Sequence, residues 1–186
     1  MCQCFETIKV EDGTIQHLSY HQQRFDRTRV ELFGLSDKIN LNDFIKVKDD
    51  KTYRVKVVYA KEIEEVLWQE YKQERIFETF YLKDLDFDYS YKYVDRKMMD
   101  TTKDLIYVEN GFLKDTQIAN IALMIDNVWL TPKYPMLKGT TRARLLESGF
   151  IKEENLDKNS LEIAQKFAIM NALMGFKIIE NIRIDV

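Results

Sequence analysis

"MLKGTTRARLLESGF", residues 136–150, joins a glycine-centred turn to an apolar periodic run at Leu145 and Leu146. A helix that begins at Thr140, Thr141 and Arg142 presents unpaired backbone N–H groups and the positive end of its dipole, a natural seat for a phosphate. No GxxxxGK[ST] loop exists anywhere in the chain, so the phosphate seat is not a P-loop. On these residues alone the plainer reading is a threonine-capped surface helix after a turn.

Working outward, the flanking sequence alternates between extended and helical patterns. Upstream, residues 120–126 and 128–130 read as strands. Residues 105–109 and 112–115 flank Asn110-Gly111, the strongest short hairpin signal in the chain. "TYRVKVVYA", residues 52–60, alternates as a half-buried strand, and 76–82 is extended. At the N-terminus, residues 3–10 form a strand, Asp12-Gly13 a turn, and 14–18 a returning strand that includes His17. Ser19 with Gln22 three residues on is a capping-box signature, and Gly34 supplies a stop, so 20–33 is predicted as a helix. Downstream, helices are expected at 140–148 and 160–167, with 168–185 largely extended. The alternation predicts an α/β (α+β) fold. The pattern changes near residue 90, which divides the chain into an N-terminal α/β lobe, 1–90, and a C-terminal lobe, 91–186.

Composition removes several functions. Hydrophobic residues make up 45% of the 186, with only six glycines and two prolines, as in an ordered globule without linkers. The net charge of −3 comes from 31 acidic and 28 basic residues mixed along the chain, which leaves no basic stripe for nucleic acid and no polybasic membrane anchor. Apolar runs fall far short of a membrane span. The opening "MCQCFETIKVEDG" lacks the layout of a signal peptide, so a cytoplasmic location is expected. Cys2 and Cys4 are the only cysteines and His17 and His21 the only histidines, too few for a zinc site or a Ser-His-Asp arrangement; no metal is expected.

Two further constellations accompany the opening stretch. In "YHQQRFDRTR", residues 20–29, Arg24 lies one helical turn after His21, where its planar fork is suited to clamping a phosphate. The bland alternative is a solvated basic face shared with Arg27 and Arg29. In "YKYVDR", residues 91–96, Lys92 sits among Tyr91, Tyr93 and Val94. A lysine buried there has a depressed pKa, as a Schiff-base lysine requires, whereas a snorkelling structural lysine is the commoner alternative.

Order and spacing together resemble the class IV aminotransferase family of pyridoxal 5'-phosphate (PLP) enzymes. "FETIKVEDGTIQHLSYHQQRF" resembles the family's first hairpin and helix, whose H-x-x-R arginine holds the cofactor phosphate; this is Arg24. "YKYVDR" is similar to the K-x-x-[ND]-R segment, which makes Lys92 the catalytic Schiff-base residue. "GFLKDTQIANIAL" resembles the segment whose acid meets the pyridine nitrogen, and five residues before Asn120 stands Asp115 in place of the usual glutamate. "LKGTTR" is similar to the family's phosphate-binding turn, implicating Thr140 and Thr141. "IMNALMGF" resembles a second phosphate-side turn around Asn171, Ala172 and Leu173.

The resemblance implies a two-lobed PLP fold type IV, with a small N-terminal lobe and a larger, sheet-rich C-terminal lobe. It also implies a homodimer and a small-molecule amino substrate, with no nucleic-acid or membrane partner. Among family activities, aminodeoxychorismate lyase, which yields 4-aminobenzoate and pyruvate for folate synthesis, is the leading expectation. An aminotransferase for a branched-chain or D-amino acid is the alternative, and a non-catalytic PLP-binding protein the third. The family's usual further strand and glycine-rich loop before the first hairpin are not in this sequence.

Overall fold

The computed structural model describes residues 2–72 and 75–185. The chain folds as two compact units, Met1–Gln73 with Tyr91–Arg96, and Glu74–Ser90 with Lys97–Val186. The single boundary expected at residue 90 is therefore corrected. Segment 91–96 returns to the first unit, so Lys92 belongs with the N-terminal residues and not with a lobe spanning 91–186.

In the first unit, β1 (Cys4–Glu11), β2 (Thr14–Ile15), β3 (Tyr53–Tyr59) and β4 (Ile63–Glu70) make an antiparallel sheet in the order β2-β1-β3-β4. Asp12 and Gly13 both take positive φ, 49° and 70°, as a two-residue hairpin turn demands. Helix α1 (Leu18–Phe33) packs on the face bearing Cys4, Ile8, Val10, Val55, Val57 and Tyr59, with Phe25 edge-on to Tyr59 at 4.6 Å. Gly34 ends the helix at φ 70°, as expected.

The helix start differs from the sequence expectation. α1 begins at Leu18 after His17, which is left-handed at φ 51° and provides no side-chain cap. Ser19 and Gln22 therefore form no capping box, and His17 is not on a strand. Gln22 instead donates to Asp26 and to the Ile39 carbonyl and accepts from the Leu41 amide, pinning the following loop against the helix. Tertiary hydrogen bonds outcompete the local cap. Strand β4 was not predicted: "IEEVLWQE" lines a sheet edge with most side chains in solvent, so burial imposes no alternation on it.

The second unit contains β5 (Thr79–Asp84), β6 (Asp104–Glu109), β7 (Phe112–Thr116), β8 (Asn120–Ile125), β9 (Val128–Pro132), α2 (Thr140–Glu147), β10 (Lys152–Glu154), α3 (Lys158–Ile163), β11 (Lys166–Asn171), β12 (Gly175–Ile179) and β13 (Arg183–Asp185). They form two sheets, β13-β5-β6-β7 and β10-β9-β8-β11-β12. Phe80, Ile106 and Leu113 of the first sheet share a core with Ile121, Leu123, Phe167 and Ile169 of the second. Leu145 of α2 packs on the other face of the five-stranded sheet, with Ala122, Trp129, Ala168 and Met170. Asn110 and Gly111 turn the β6–β7 hairpin at φ 52° and 83°. The helix expected over 160–167 is shorter: α3 starts from an Asp157–Ser160 capping box and ends at Ile163, because β11 pairs with β8 and β12 from Lys166 onward. Among the described residues no helix is long and apolar enough to cross a membrane.

Candidate active site

The first unit gathers His21 and Arg24 around one carboxylate. Strand alternation turns Cys4, Glu6, Ile8 and Val10 toward α1, which places Glu6 on the core face with no exposed surface. His21 and Arg24, three apart on α1, share a helical face and both reach it. Arg24 donates Nε to Glu6 Oε1 at 2.8 Å and Nη2 to Oε2 at 2.6 Å, and His21 Nδ1 lies 2.7 Å from Oε2. Burial by itself pushes the Glu6 carboxyl up, but the Arg24 charge and the bonds from His21 and Arg24 outweigh it and hold the group at about 2. Burial lowers the His21 imidazole below its ordinary value, against the pull of Glu6.

Lys92 is tied to the start of β1 through its backbone. Phe5 N–H donates to the Lys92 carbonyl and Val94 N–H to Gln3, both at 2.9 Å, so segment 91–96 is laid along the start of β1. The Lys92 ammonium stands 4.8 Å from the Phe5 ring centre. Burial and then the neighbouring Arg24 charge bring it down to about 7, with Glu6 opposing. An amine that is substantially neutral at pH 7 is a competent nucleophile and base.

The solvated-face reading of the helix arginines fails for two of the three. Arg24 and Arg29 are buried, and Arg29 donates to the Asp37 and Lys61 carbonyls at 2.6 and 3.0 Å. Arg27 alone stays in solvent, 4.0 Å from Glu31 one turn on.

The second unit assembles the other candidates. Asp115 on β7 and Asn120 at the start of β8 are joined by a turn in which Thr116 N–H donates to the Ala119 carbonyl at 2.9 Å. Asn120 Nδ2 donates to Asp115 Oδ1 at 2.7 Å and to the Leu137 carbonyl at 2.8 Å, and the Leu137 amide donates to Asp115 Oδ2 at 2.8 Å. The "LKGTTR" turn is thereby clamped to the acid. Burial pushes Asp115 up to about 6 against these hydrogen bonds.

Gly139 is required by closeness, not by its backbone angle. Its φ of −71° suits any residue, but a Cβ there would lie 2.0 Å from Asn120 Oδ1. Gly139 is also the N-cap of α2, so no side chain caps the first amides and no acid stands in the first turn. Thr140 and Thr141 are buried, which replaces the threonine-capped surface helix with an uncapped, sunken helix start.

Asn171 closes β11 onto its turn. Its Nδ2 donates to the Ile118 carbonyl at 3.1 Å, and its Oδ1 accepts from the Leu173 and Met174 amides, both at 2.9 Å. Ala172 is half-buried within that turn. Tyr107 is a core residue packed edge-on to Phe87 at 5.4 Å.

Glu6 is the site residue that sequence reasoning missed. Its signal was a charged residue at an inward position of an alternating strand, where period two calls for an apolar one.

A near-neutral, half-buried lysine and a clamped buried acid are groups that amine chemistry on a carbonyl cofactor employs. Residues 86–182 match the family model "Amino-transferase class IV", and the chain belongs to that family. An uncharacterized Haemophilus influenzae protein is 30% identical over 185 residues, 92% of this chain and 97% of that protein. Among solved structures, a candidate 4-amino-4-deoxychorismate lyase from Haemophilus somnus superposes with TM-score 0.82 at 26% identity, over 94% of this chain and 98% of that one. A hypothetical aminotransferase from Mycobacterium tuberculosis, solved in a PLP-bound form, superposes with TM-score 0.76 at 18% identity, over 97% and 81% of the two chains. The fold is the mixed α/β fold of these aminotransferase-like structures.

Proposed function

We propose that the protein binds PLP and converts aminodeoxychorismate to 4-aminobenzoate and pyruvate. The observation that carries the reading is Lys92, whose segment is hydrogen-bonded along the start of β1, whose amine stands 4.8 Å from the Phe5 ring centre and is brought down to about 7, as covalent capture of a carbonyl requires. Likeness over almost the whole chain to the Haemophilus somnus candidate lyase supports elimination over amino transfer.

The residues present suit the cofactor. The bare Gly139 lets the 137–140 backbone come close to Asn120 and leaves the first amides of α2 without a side-chain cap, which is the donor set a phosphate needs. Thr140 and Thr141 would hold the phosphate there, the backbone around Asn171 and Ala172 would supply the second phosphate-side turn, and Arg24 would add its charge. Asp115, oriented by Asn120 and the Leu137 amide, would keep a proton on the pyridine nitrogen. When bound, PLP supplies a carbonyl for amines and an electron-withdrawing ring.

The chain's own part in the reaction is proton movement. Lys92 Nζ takes the proton from the carbon that bears the substrate's amino group. The C–O bond to the enolpyruvyl group breaks with its electron pair leaving on oxygen, the six-membered ring becomes aromatic, and the departing enolate takes up one proton on carbon to become pyruvate. Substrate and products balance without water or an oxidant.

The test is two assays on one PLP-loaded preparation, pyruvate release from aminodeoxychorismate and amino transfer from L- and D-amino acids to 2-oxo acids. Pyruvate release is expected to be the faster. Transamination without pyruvate release would install the aminotransferase reading, and silence in both with PLP bound would leave a non-catalytic binder. The same reading includes a homodimer, expected in sedimentation.

A further inference from the structure

The "LKGTTR" turn belongs to an arch that leaves β9 at Pro132 and enters α2 at Thr140. Asp115 and Asn120 grip its crown at the Leu137 amide and carbonyl. Arg142, the third residue of α2, closes its feet. Its Nη2 donates to the Pro132 carbonyl at 2.8 Å and to Glu153 Oε1 at 2.6 Å. Glu153 is the middle residue of β10, which runs parallel to β9 with Glu153 opposite Thr131 and Glu154 opposite Pro132. The Lys133 amide donates to the Glu154 carbonyl at 2.9 Å, so β10 holds one foot of the arch and Arg142 brings the other to it.

These bonds do not by themselves require a charge, since a neutral amide has two N–H groups to give. Arg142 is nonetheless a guanidinium only 5% exposed, and among the described residues its Nε is buried with no hydrogen-bond partner. Burying a charge and leaving one of its donors idle is costly. Glu153 answers that charge only in part, because its side chain is 45% exposed and shares its own charge with water. On the buried side the field of Arg142 reaches Asp115, where it opposes the upward push of burial. Asp115 has a use for that field. Its Oδ1 accepts from Asn120 and its Oδ2 from the Leu137 amide, and a proton on either oxygen would weaken one of these bonds and free the crown of the arch.

We propose that Arg142 is a positioning residue of the cofactor site: it ties the two feet of the 132–142 arch together, and its positive charge supports the Asp115 carboxylate that grips the crown and is assigned to the ring nitrogen. Arg142 itself touches neither cofactor nor substrate in this assignment and acts through Asp115 and the turn that carries Thr140 and Thr141. The proposal rests on the reading of Asp115 and this turn as the PLP site.

The experiment follows the Asp115 carboxyl across pH by carbon-13 NMR in the protein without PLP, with Asp115→Asn to assign its signal, and measures PLP affinity by visible absorption. Arg142→Gln keeps donors for Pro132 and Glu153 and removes the charge. Its Asp115 midpoint should rise by about one pH unit, and PLP should bind about tenfold more weakly. Arg142→Lys restores the charge and should return the midpoint to the wild-type value and recover most of the affinity. Glu153→Gln loosens the tie but leaves the charge, so it should not raise the midpoint and should change PLP affinity less than about threefold. A wild-type midpoint in Arg142→Gln, an equal rise in Glu153→Gln, or no recovery in Arg142→Lys would overturn the proposal. Should Arg142→Gln not fold, the double variant with Asp115→Asn decides. It is expected to fold, because the charge then has no carboxylate to support, and its failure to fold would also overturn the proposal. An Asp115 midpoint that follows Arg142 in a protein that takes up no PLP would sink the functional reading and leave the Arg142–Asp115 coupling standing. PLP uptake by wild type with Arg142→Gln indifferent in both measurements would do the reverse.

Discussion

Arg24 donates Nε and Nη2 to the two oxygens of Glu6, at 2.8 and 2.6 Å, in a core where Glu6 has no exposed surface. The arginine proposed for the phosphate thus also neutralises a buried carboxylate. Arg24→Ala should cost about 3–5 kcal/mol, the range for removing one member of a buried pair. Arg27→Ala, at an exposed pair, should cost less than about 0.5 kcal/mol. Urea denaturation of the protein without PLP checks both, and equal costs would refute the distinction between a buried and a solvated arginine.

The same pair gives an acid limb to stability. The folded carboxyl of Glu6 titrates at about 2, below its ordinary value of 4.5. The unfolded state therefore binds the proton more readily, and the contribution of Glu6 is fully present above pH 4.5 and lost as pH falls toward 2. Stability measured across that range should drop more steeply for wild type than for Glu6→Gln. Parallel curves would mean that Glu6 contributes no such linkage.

Lys92 titrates in the opposite sense to a salt-bridged lysine. Its folded value of about 7 lies below the ordinary 10.5, so protonation opposes folding, fully below pH 7 and progressively less toward pH 10.5. Lys92→Met should stabilise the protein without PLP by about 1–3 kcal/mol at pH 6, discounted for partial solvent access, with the gain fading above pH 7. A gain that is constant with pH would contradict the depressed amine.

Borohydride reduction of the PLP-treated protein should attach the cofactor to the peptide containing Lys92, with yield rising through about pH 7 as the amine loses its proton. Peptide mapping reads the position. Attachment at Lys103 or Lys138 would remove Lys92 from its proposed role.

Gly139→Ala should push Asn120 away, since the new Cβ would sit 2.0 Å from its Oδ1, and so loosen the Asn120–Asp115 hydrogen bond of 2.7 Å. A cost of about 1–3 kcal/mol is expected, together with weaker PLP retention. Asn120→Ala combined with Gly139→Ala should cost less than the sum of the single changes, because the first removes the group the second strikes. Strict additivity would disprove the contact.

By itself, the sequence determined those elements whose signals are local. The Asp12-Gly13 and Asn110-Gly111 turns and the Gly34 stop each depend on the dihedral preferences of one or two residues, and all formed where expected. The identity of the candidate residues was likewise legible, because motif order along the chain carries it. Tertiary structure decided what those residues touch. Ser19 lost its cap because Gln22 was drawn to Ile39 and Leu41, and 166–171 became a strand because β8 and β12 lay on both sides of it. The segment carrying Lys92 joined the first unit through two backbone hydrogen bonds, from Phe5 N–H to the Lys92 carbonyl and from Val94 N–H to Gln3 just before β1, a pairing across more than eighty residues that no local pattern encodes. Burial then set the chemistry. The same arginine type is solvated at 27 and buried at 24, and a desolvated charge must find a partner, so Glu6 was drawn into the site by a cost that exists only once the core has closed.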